Sequence, residues 1–342
     1  MNLNDIAKKA GVSRSTVSRV INGDEYVSDK TRQRVMQVID EVGFSPNAAA
    51  RILRTQRTEV IGVVIPRPLS DVFSATDPYY YNAVIQGISE ATHSRNYAML
   101  VWVGNVEESA EQFYQRILKN RLMDGLVIVA SVMGEELLVK DLLKNDTPFV
   151  LLGRPMNYAD QVSYVTVDNV SAAEEAVKHL FSQGRRRIAH ITGDWDNVDS
   201  RDRLEGYKRA LRAFNIPYDE NLVVHGRYER QTGYSATKRL LTEQDFDSVF
   251  AGSDLIGVGV IQAAHEHGLN VPHDIAVVAF DDFPIASQYN LTTIRQPITR
   301  KAGDATDLLL DLIEGKVESP KQKLLATQLV IRESCGYIVR KE

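Results

Sequence analysis

The sequence predicts an all-α head followed by a larger α/β body of doubly wound parallel sheets. Three observations support this division. Helical periodicity and glycine stops dominate the first 43 residues, nine apolar runs alternate with amphipathic stretches from Val60 onward, and charge is distributed unevenly between the two parts. Continuous apolar runs separated by helices are typical of parallel sheets that are covered on both faces.

Bulk composition limits the classes of protein that fit. The chain has 342 residues, of which 44% are hydrophobic and 25% charged, as in a globular protein with more than one core. It contains no apolar run long enough to predict a membrane span and no apolar segment at its start that would predict a signal peptide, so we expect a cytoplasmic protein. A single cysteine, Cys335, excludes an intrachain disulfide and a cysteine-based zinc site.

Basic and acidic residues are distributed unevenly along the chain. Residues 1–58 carry ten basic and six acidic side chains, which gives this segment a net charge of +4 and leaves −9 for the rest of a chain whose total is −5. A small basic segment joined to an acidic body is the asymmetry expected of a nucleic-acid-binding head.

Three short helices are predicted in the head. The first is expected to be capped by Asn4 or Asp5 and to end at Gly11. The second runs from about Arg14 to Ile21 after a Ser13 cap, and the third runs from a Ser28 cap to Gly43. Apolar residues recur at one-face spacing in all three helices and predict a small aliphatic core: Ile6, Ala7, Ala10, Val12, Val17, Val20, Ile21, Val35, Val38, Ile39 and Val42.

The stretch NDIAKKAGVSRSTVSRVING at residues 4–23, continued by VSDKTRQRV and SPNAAARILR, strongly resembles the head of the LacI/GalR (lactose-repressor) family. The resemblance implies a helix-turn-helix domain over residues 1–45 that binds DNA in the major groove. It implies base contacts by Arg14, Ser15 and Arg19, and arginine forks suit the guanine edge. Four more polar residues suit phosphates: Ser13, Thr16, Ser18 and Asn22. A three-helix bundle that binds no DNA is the alternative.

Residues 46–58 are predicted to form a hinge helix and linker. Asn47 is a good helix cap and three alanines follow it, but so short a helix is not stable alone in water. The family resemblance implies that this helix lies in the minor groove, where Leu53 wedges between base pairs. The residues that it implies as DNA contacts are Asn47, Ala50, Leu53 and Arg54. An ordinary linker is the alternative.

The body, residues 59–342, is predicted to have two doubly wound lobes, because nine apolar runs are many for one sheet. Its motifs IGVVIP, MDGLVIV, SRDRLEGYKRAL, GSDLIGVGVIQAA, VVAFDD and TTIRQP resemble the effector domain of the same family, which looks like a periplasmic sugar-binding protein. That resemblance implies discontinuous lobes, the first of about 60–165 with 295–320 and the second of about 166–292 with 321–342.

The same resemblance places an effector site between the lobes. It implies that Arg203 binds effector hydroxyls or carboxylates, since arginine suits paired oxygens, and that Asp281 accepts sugar hydroxyls. Aromatic rings suit sugar faces. The remaining implied contacts are Asp77, Tyr79, Tyr80, Tyr228, Ser253 and Asp254. Asp254 and Asp281 could instead cap helices, Arg203 could form a salt bridge between the lobes, and Tyr228 could be core. We expect Asp168 and Asn169 to be a capping pair.

No nucleotide-binding glycine loop, nucleophile elbow or zinc-binding HExxH pattern occurs, so we expect no enzyme, catalytic residue, metal or cofactor. Gly257 and Gly259 are expected to mark close helix packing. The resemblance implies a homodimeric repressor of carbohydrate-utilisation genes, which binds a pseudo-palindromic operator under control of a sugar. The alternatives are a non-sugar effector or corepressor such as a nucleobase, and a sugar-binding receptor.

Overall fold

The computed structural model describes residues 2–21, 24, 26–43, 57–68, 72, 79–104, 112, 115–117, 122–129 and 135–336. These residues divide into two compact units, Met1–Thr58 and Glu59–Glu342. Six of the expected binding residues lie outside the described ranges: Asn22, Asn47, Ala50, Leu53, Arg54 and Asp77.

The head contains helices α1 (Leu3–Ala10), α2 (Arg14–Ile21) and α3 (Asp29–Val42). Gly11 and Gly43 end α1 and α3 at φ values of 60° and 58°, as the sequence predicts. Ser13 caps α2, because its hydroxyl accepts the Thr16 amide at 3.1 Å. The aliphatic side chains predicted for the core are buried or half-buried and pack together with Val27.

Two of the predicted caps differ from the structure. Asn2, and not Asn4 or Asp5, caps α1: its side chain accepts the Asp5 amide at 3.2 Å, while the Asp5 carboxylate accepts the Asn2 amide at 2.8 Å. This reciprocal pair satisfies two amide groups that the first helical turn leaves open. Ser28 holds the cap position of α3, but its hydroxyl bonds the Thr31 hydroxyl at 3.0 Å and makes no capping bond.

The body contains two six-stranded sheets. The order of the first is β2 (Ala98–Gly104), β1 (Val60–Pro68), β3 (Gly125–Val129), β4 (Phe149–Leu152), β5 (Tyr164–Val167) and β11 (Gln322–Leu325), and all of its pairs are parallel. The order of the second is β7 (Val223–Val224), β6 (Ile188–Ile191), β8 (Ser248–Ala251), β9 (Ala276–Asp281), β10 (Thr292–Arg295) and β12 (Gln328–Val330). Only its last pair, β10 with β12, is antiparallel.

Helices cover both faces of each sheet, as continuous apolar strands require. The first sheet packs against α4 (Tyr79–Ser94) and α11 (Ile298–Ile313) on one face and α5 (Glu135–Lys144) on the other. The second packs against α6 (Asn169–Ser182) and α7 (Val198–Ala213) on one face. Its other face carries α8 (Arg230–Glu243), α9 (Asp254–Glu266) and the short α10 (Pro284–Gln288). Single 3-10 turns form at Glu220–Leu222 and Glu333–Cys335. Within the described ranges, no helix has the length and apolarity needed to span a membrane.

The chain crosses between the sheets three times: between β5 and α6, between β10 and α11, and between β11 and β12. The expected second lobe is wrong in one segment, because residues 321–342 do not all belong to it. Strand β11 pairs with β5 in the first sheet, with Lys323 opposite Val165. Only two residues separate β11 from β12 in the other sheet.

Helices α8 and α9 approach each other through glycines, which confirms the expected role of Gly259. A methyl group at Gly259 would lie 2.1 Å from the Arg230 carbonyl oxygen, and one at Gly233 would lie 2.0 Å from the Ile256 carbonyl oxygen. Neither backbone oxygen can move without shifting a helix. The two helices therefore pack at a distance that a side chain larger than glycine does not allow.

We expect Gly259→Ala to lower the free energy of unfolding by about 1–3 kcal/mol, because the added methyl forces α8 and α9 apart. Gly303→Ala on α11 is the matched control, since its added carbon would lie 3.5 Å from its nearest neighbour, the Gly87 carbonyl oxygen. Alanine there should stabilise the protein by about 0.5–1 kcal/mol through helix propensity. Urea unfolding of both variants measures the effect, and equal shifts of the same sign would contradict it.

Candidate functional site

The candidate site lies at the carboxyl ends of β6 and β8. These strands are neighbours at the point where the strand order reverses, which is where open α/β sheets bind ligands. Gly193 lies just beyond the end of β6 at Ile191, and Gly252 directly follows β8. Helix α7 begins beyond β6 and carries Arg203 across to the end of β8.

Arg203 is a buried cation of this site, with 3% of its surface exposed. Its Nε donates to Asn169 Oδ1 at 3.1 Å and its Nη1 donates to the Gly252 carbonyl at 2.5 Å. Its Nη2 lies 3.9 Å from Asp281 Oδ1, and the guanidinium lies 3.8 Å from the centre of the Phe280 ring. The protein thus fixes two edges of the guanidinium, and the Asp281 edge is the least tightly held.

Asp281 ends β9 in a backbone conformation that non-glycine residues rarely adopt. Its φ is 120° and that of Asp282 is 62°. Asp282 holds this turn in place by accepting from Arg295 and Arg332, each at 2.6 Å. The Asp281 carboxylate accepts from Gln296 Nε2 at 2.5 Å and lies beside Arg203. Strained backbone held by surrounding ion pairs is typical of functional sites.

An aromatic ring from each lobe lies near these two charges. The Tyr228 ring lies 5.6 Å from the Arg203 guanidinium, and its hydroxyl bonds the Ser200 hydroxyl at 2.6 Å. Tyr80 is on α4 of the first lobe. Burial raises the pKa of its phenol well above the ordinary value, and the Asp199 and Asp281 carboxylates act in the same direction. The structure therefore brings Tyr80, Arg203, Tyr228 and Asp281 together.

Tyr79 lies one position before Tyr80 but does not join this cluster through its ring. Its ring stacks on Phe283 at 5.4 Å between centroids. Phe283 follows the second-lobe strand β9 and is buried in the first-lobe core, so this stacked pair joins the two lobes. Tyr79 itself is half-buried, and its role as an effector contact stays a prediction.

Ser253 and Asp254 also have internal partners, and the expectation that they contact an effector directly does not fit their geometry. The Ser253 hydroxyl caps α9 by accepting the Ile256 amide at 3.3 Å. The fully buried Asp254 accepts from the Phe283 amide and the Thr293 hydroxyl, both at 2.6 Å. Burial and the nearby Asp281 charge raise the pKa of its carboxyl well above the ordinary value. Both residues hold neighbouring segments in place.

Four site residues were not identified from the sequence: Asn169, Asp199, Gln296 and Lys301. Asp168 caps α6 by accepting the Ser171 amide at 3.0 Å, as expected, but Asn169 turns inward to Arg203 and donates to Asp199 Oδ1 at 2.9 Å. Gln296 lies where the chain crosses between the lobes. Of these four residues, only Lys301 could have been identified from the sequence, because it is a cation on the otherwise apolar, buried face of α11.

Two ion pairs join the lobes beside the site. Arg154, which follows β4, donates to both carboxylate oxygens of Asp202 on α7, at 2.6 and 3.2 Å. Arg67 on β1 lies 3.9 Å from Asp194, which follows β6. Arg203 does not form such a bridge, since its Asp281 partner belongs to the same lobe. Charged side chains of the two lobes are therefore paired at two places, one of them at Asp202, the neighbour of Arg203 in the sequence.

In the head, α2 presents a polar face opposite its apolar one. Arg14, Ser15 and Arg19 are exposed, while Val17 and Val20 are buried in the core. Thr16 and Ser18 are half-buried, and Ser13 is exposed but its hydroxyl is used in capping. The residues implied as base contacts therefore share the exposed side of one helix.

This chemistry is that of binding. Among the residues that the structure describes, no group of three or more histidine, cysteine or acidic side chains could hold a metal ion. A buried arginine, a carboxylate and aromatic rings between two lobes can bind a small polyhydroxylated molecule. A helix with an exposed basic face can enter the DNA major groove. The fold and its two sites define a regulator that joins a DNA-binding head to a ligand-binding body.

Comparison with known proteins gives the family. Residues 2–47 match the family described as bacterial regulatory proteins, lacI family, and residues 177–335 match the periplasmic binding protein-like domain. The chain is 36% identical over 333 residues to the HTH-type transcriptional regulator CelR of Thermobifida fusca, with 96% of each chain covered. It is 31% identical over 298 residues to catabolite control protein A of Priestia megaterium, with 86% of this chain and 87% of that protein covered.

Solved structures agree. The CelR–cellobiose complex matches with a TM-score of 0.75 and 33% identity, and the lac repressor dimer bound to operator and the anti-inducer ONPF with a TM-score of 0.84 and 25% identity. Each match covers 98% of this chain and 99% of the other. The chain belongs to the LacI family of transcriptional regulators. It is a DNA-binding regulator and not an enzyme, which confirms the class that the sequence predicts.

Proposed function

We propose that the body binds a small sugar between its two lobes and that this binding controls the affinity of the head for its operator. The observation that carries the proposal is the Arg203–Asp281 pair, buried beside aromatic rings where the two lobes meet. Neighbouring hydroxyls of a sugar ring can accept from a guanidinium and donate to a carboxylate together. Cellobiose is the first candidate, because a related regulator has been solved in complex with it.

In the proposed complex, Arg203, Asp281, Tyr228 and Tyr80 contact the sugar. A ligand that favours one arrangement of the lobes shifts the equilibrium by its difference in affinity for the two. A coupling free energy of about 1–3 kcal/mol would change operator affinity by about 5–150-fold. The sugar could act as an inducer or as a corepressor, and the direction of the change in operator affinity decides between them.

A thermal-shift screen against a carbohydrate panel tests the sugar site, since a bound ligand raises the unfolding temperature according to its affinity. Cellobiose should raise the midpoint of unfolding in a concentration-dependent way, and operator affinity should change at the same concentrations. If no carbohydrate in the panel raises the midpoint, the proposal is wrong.

We further propose that the chain acts as a homodimer on a pseudo-palindromic operator, because the two-fold symmetry of a protein dimer is mirrored in its DNA site. Strand β2 supports this proposal. It is an edge strand of the first sheet with the apolar sequence AMLVWVG, and Ala98 and Leu100 on it are exposed. An exposed apolar edge strand favours pairing with a second chain.

For the head, we propose that Arg14, Ser15 and Arg19 contact base edges and that Ser13, Thr16 and Ser18 contact phosphates. The exposure of Arg14, Ser15 and Arg19 on one face of α2 supports this assignment. Ser13 and Thr16 are bonded to each other at 2.9 Å at the helix start. The first turn of a helix also offers free amides to a phosphate.

We expect Arg14→Ala to reduce affinity for the selected operator by about 5–150-fold, because a bidentate arginine–guanine contact contributes about 1–3 kcal/mol of discrimination. Operators are selected from a randomised DNA pool with the wild-type chain and with the variant. The variant should lose base preference at one position of each half-site. Lys8→Ala on α1 is the control and should keep the selected sequence. Equal weakening by Arg14→Ala on every sequence would show that Arg14 contacts phosphate only.

A further inference from the structure

Lys301 is a buried cation with few partners. It lies on α11, where Ile298, Ala302 and Ala305 form the buried face with it, and only 2% of its surface is exposed. Lysine is almost never fully buried unless its charge is paired. Its position therefore calls for a partner that accepts hydrogen bonds from the ammonium group.

Among the described residues, the Lys301 ammonium has few contacts. Its hydrogen bond is a single long one, to Gln296 Oε1 at 3.4 Å, and the Tyr80 ring lies 5.7 Å away. An ammonium has three hydrogens to donate. The charged groups that influence its pKa are in the second lobe: the carboxylates of Asp199 and Asp281 raise it and the guanidinium of Arg203 lowers it. Each of these is engaged elsewhere, with Asn169 or Gln296.

Gln296 links the two sides of this arrangement. Its amide nitrogen donates to Asp281 Oδ1 at 2.5 Å, and its amide oxygen accepts from Lys301. The single side chain at the crossing between β10 and α11 thus holds the first-lobe cation and the second-lobe carboxylate toward the same place. Burial lowers the pKa of the Lys301 ammonium, and the Asp199 and Asp281 carboxylates oppose that effect.

We propose that Lys301 is a specificity-determining residue of the effector site, which donates hydrogen bonds from the first lobe to oxygen atoms of the sugar and excludes amino sugars by charge. The inference rests on the proposed sugar-binding function. Two cations, Lys301 and Arg203, face two carboxylates, Asp199 and Asp281, so the site is balanced without a ligand charge. A hydroxyl or ether oxygen accepts from the ammonium, whereas an ammonium on the ligand would meet like charges out of water.

Two probes of the same shape test this charge selection: cellobiose, and the β-1,4-linked dimer of glucosamine in mildly acidic buffer, where its amines are protonated. Titration calorimetry gives the dissociation constant of each for the wild-type chain, Lys301→Met and Lys301→Arg. The wild-type chain should prefer cellobiose by more than about tenfold, because like charges would be brought together in a buried site. Lys301→Met should reduce that preference by at least about tenfold, and Lys301→Arg should keep it.

The outcomes separate this inference from the function on which it rests. If the wild-type chain does not bind cellobiose, the proposed function is wrong and the inference fails with it. If cellobiose binds but Lys301→Met keeps the wild-type ratio of the two dissociation constants, the inference alone is overturned. Thermal unfolding shows whether Lys301→Met is folded; if it is not, Lys301→Gln, which keeps polarity without charge, replaces it with the same expected change in ratio.

Discussion

Arg203→Met is expected to give a regulator that binds its operator but does not respond to its sugar. Methionine keeps much of the side-chain volume. It removes the guanidinium group, which lies beside Asp281 and donates to Asn169 and to the Gly252 carbonyl. Removing one partner of a buried, hydrogen-bonded charge pair costs about 2–5 kcal/mol in binding, so effector affinity should fall more than about 30-fold. Operator affinity measured with and without cellobiose shows the loss of response.

The same substitution should also lower the free energy of unfolding, by about 3–5 kcal/mol, since Asp281 is left buried beside an uncharged side chain. Operator binding is therefore measured well below the unfolding temperature of the variant. Arg212→Met on the same helix is the matched control: its guanidinium is exposed and bonds Glu205 at 2.7 Å, so response and stability should both be near wild type. A normal sugar response in Arg203→Met would remove Arg203 from the site.

The second large effect concerns His190 on strand β6, which lies between β8 and the edge strand β7. Its ring is fully buried and stacks on Phe250 and Tyr207, with centroid distances of 4.7 and 5.3 Å. Nδ1 lies 2.9 Å from the Phe250 carbonyl, and Nε2 has no partner among the described residues. Burial lowers the pKa of this imidazole from 6.5 to about 4. The folded chain thus holds a neutral histidine that the unfolded chain would protonate.

Because the unfolded state binds the extra proton first, stability should fall as the pH drops from 6.5 towards 4. Once the pH is below about 4, the total loss in the free energy of unfolding is about 3 kcal/mol. His190→Phe keeps an aromatic ring between the two neighbours and should flatten that part of the curve. Denaturant unfolding across this pH range compares the two chains, and subtracting the variant removes the contributions of all other titrating groups. Parallel curves would contradict the assignment.

Local residue chemistry was enough to predict the parts of the fold that depend on it. Glycine at positive φ ends two head helices, and fully buried strands such as β3 and β4 are continuous apolar runs. Strands β10, β11 and β12 were not predicted, because they are short, mix polar with apolar residues and lie at or near sheet edges. What defines them is pairing with distant segments, and this also explains the wrong assignment of residues 321–342.

For the candidate site, too, some residues could be predicted from the sequence and others could not. Arg203, Asp281 and Tyr228 lie in motifs whose residue types suit a polar ligand, and the structure brings them together. Sequence alone could not distinguish Asp254 from Asp281, because each lies at the end of an apolar run. Only packing shows that Asp254 is fully occupied by Phe283 and Thr293. Gln296 acquires its role solely from where the chain crosses between the sheets.

The three chain crossings have a mechanical consequence. Each is short, and the one between β11 and β12 has only two residues, Ala326 and Thr327. Three short tethers limit how far one lobe can slide along the other or separate from it, because a connection of one or two residues has little reach. The motion that they leave is rotation about a line through the tethers. The body therefore moves as a hinge with one degree of freedom. A ligand bound between its lobes determines one variable, the angle between them.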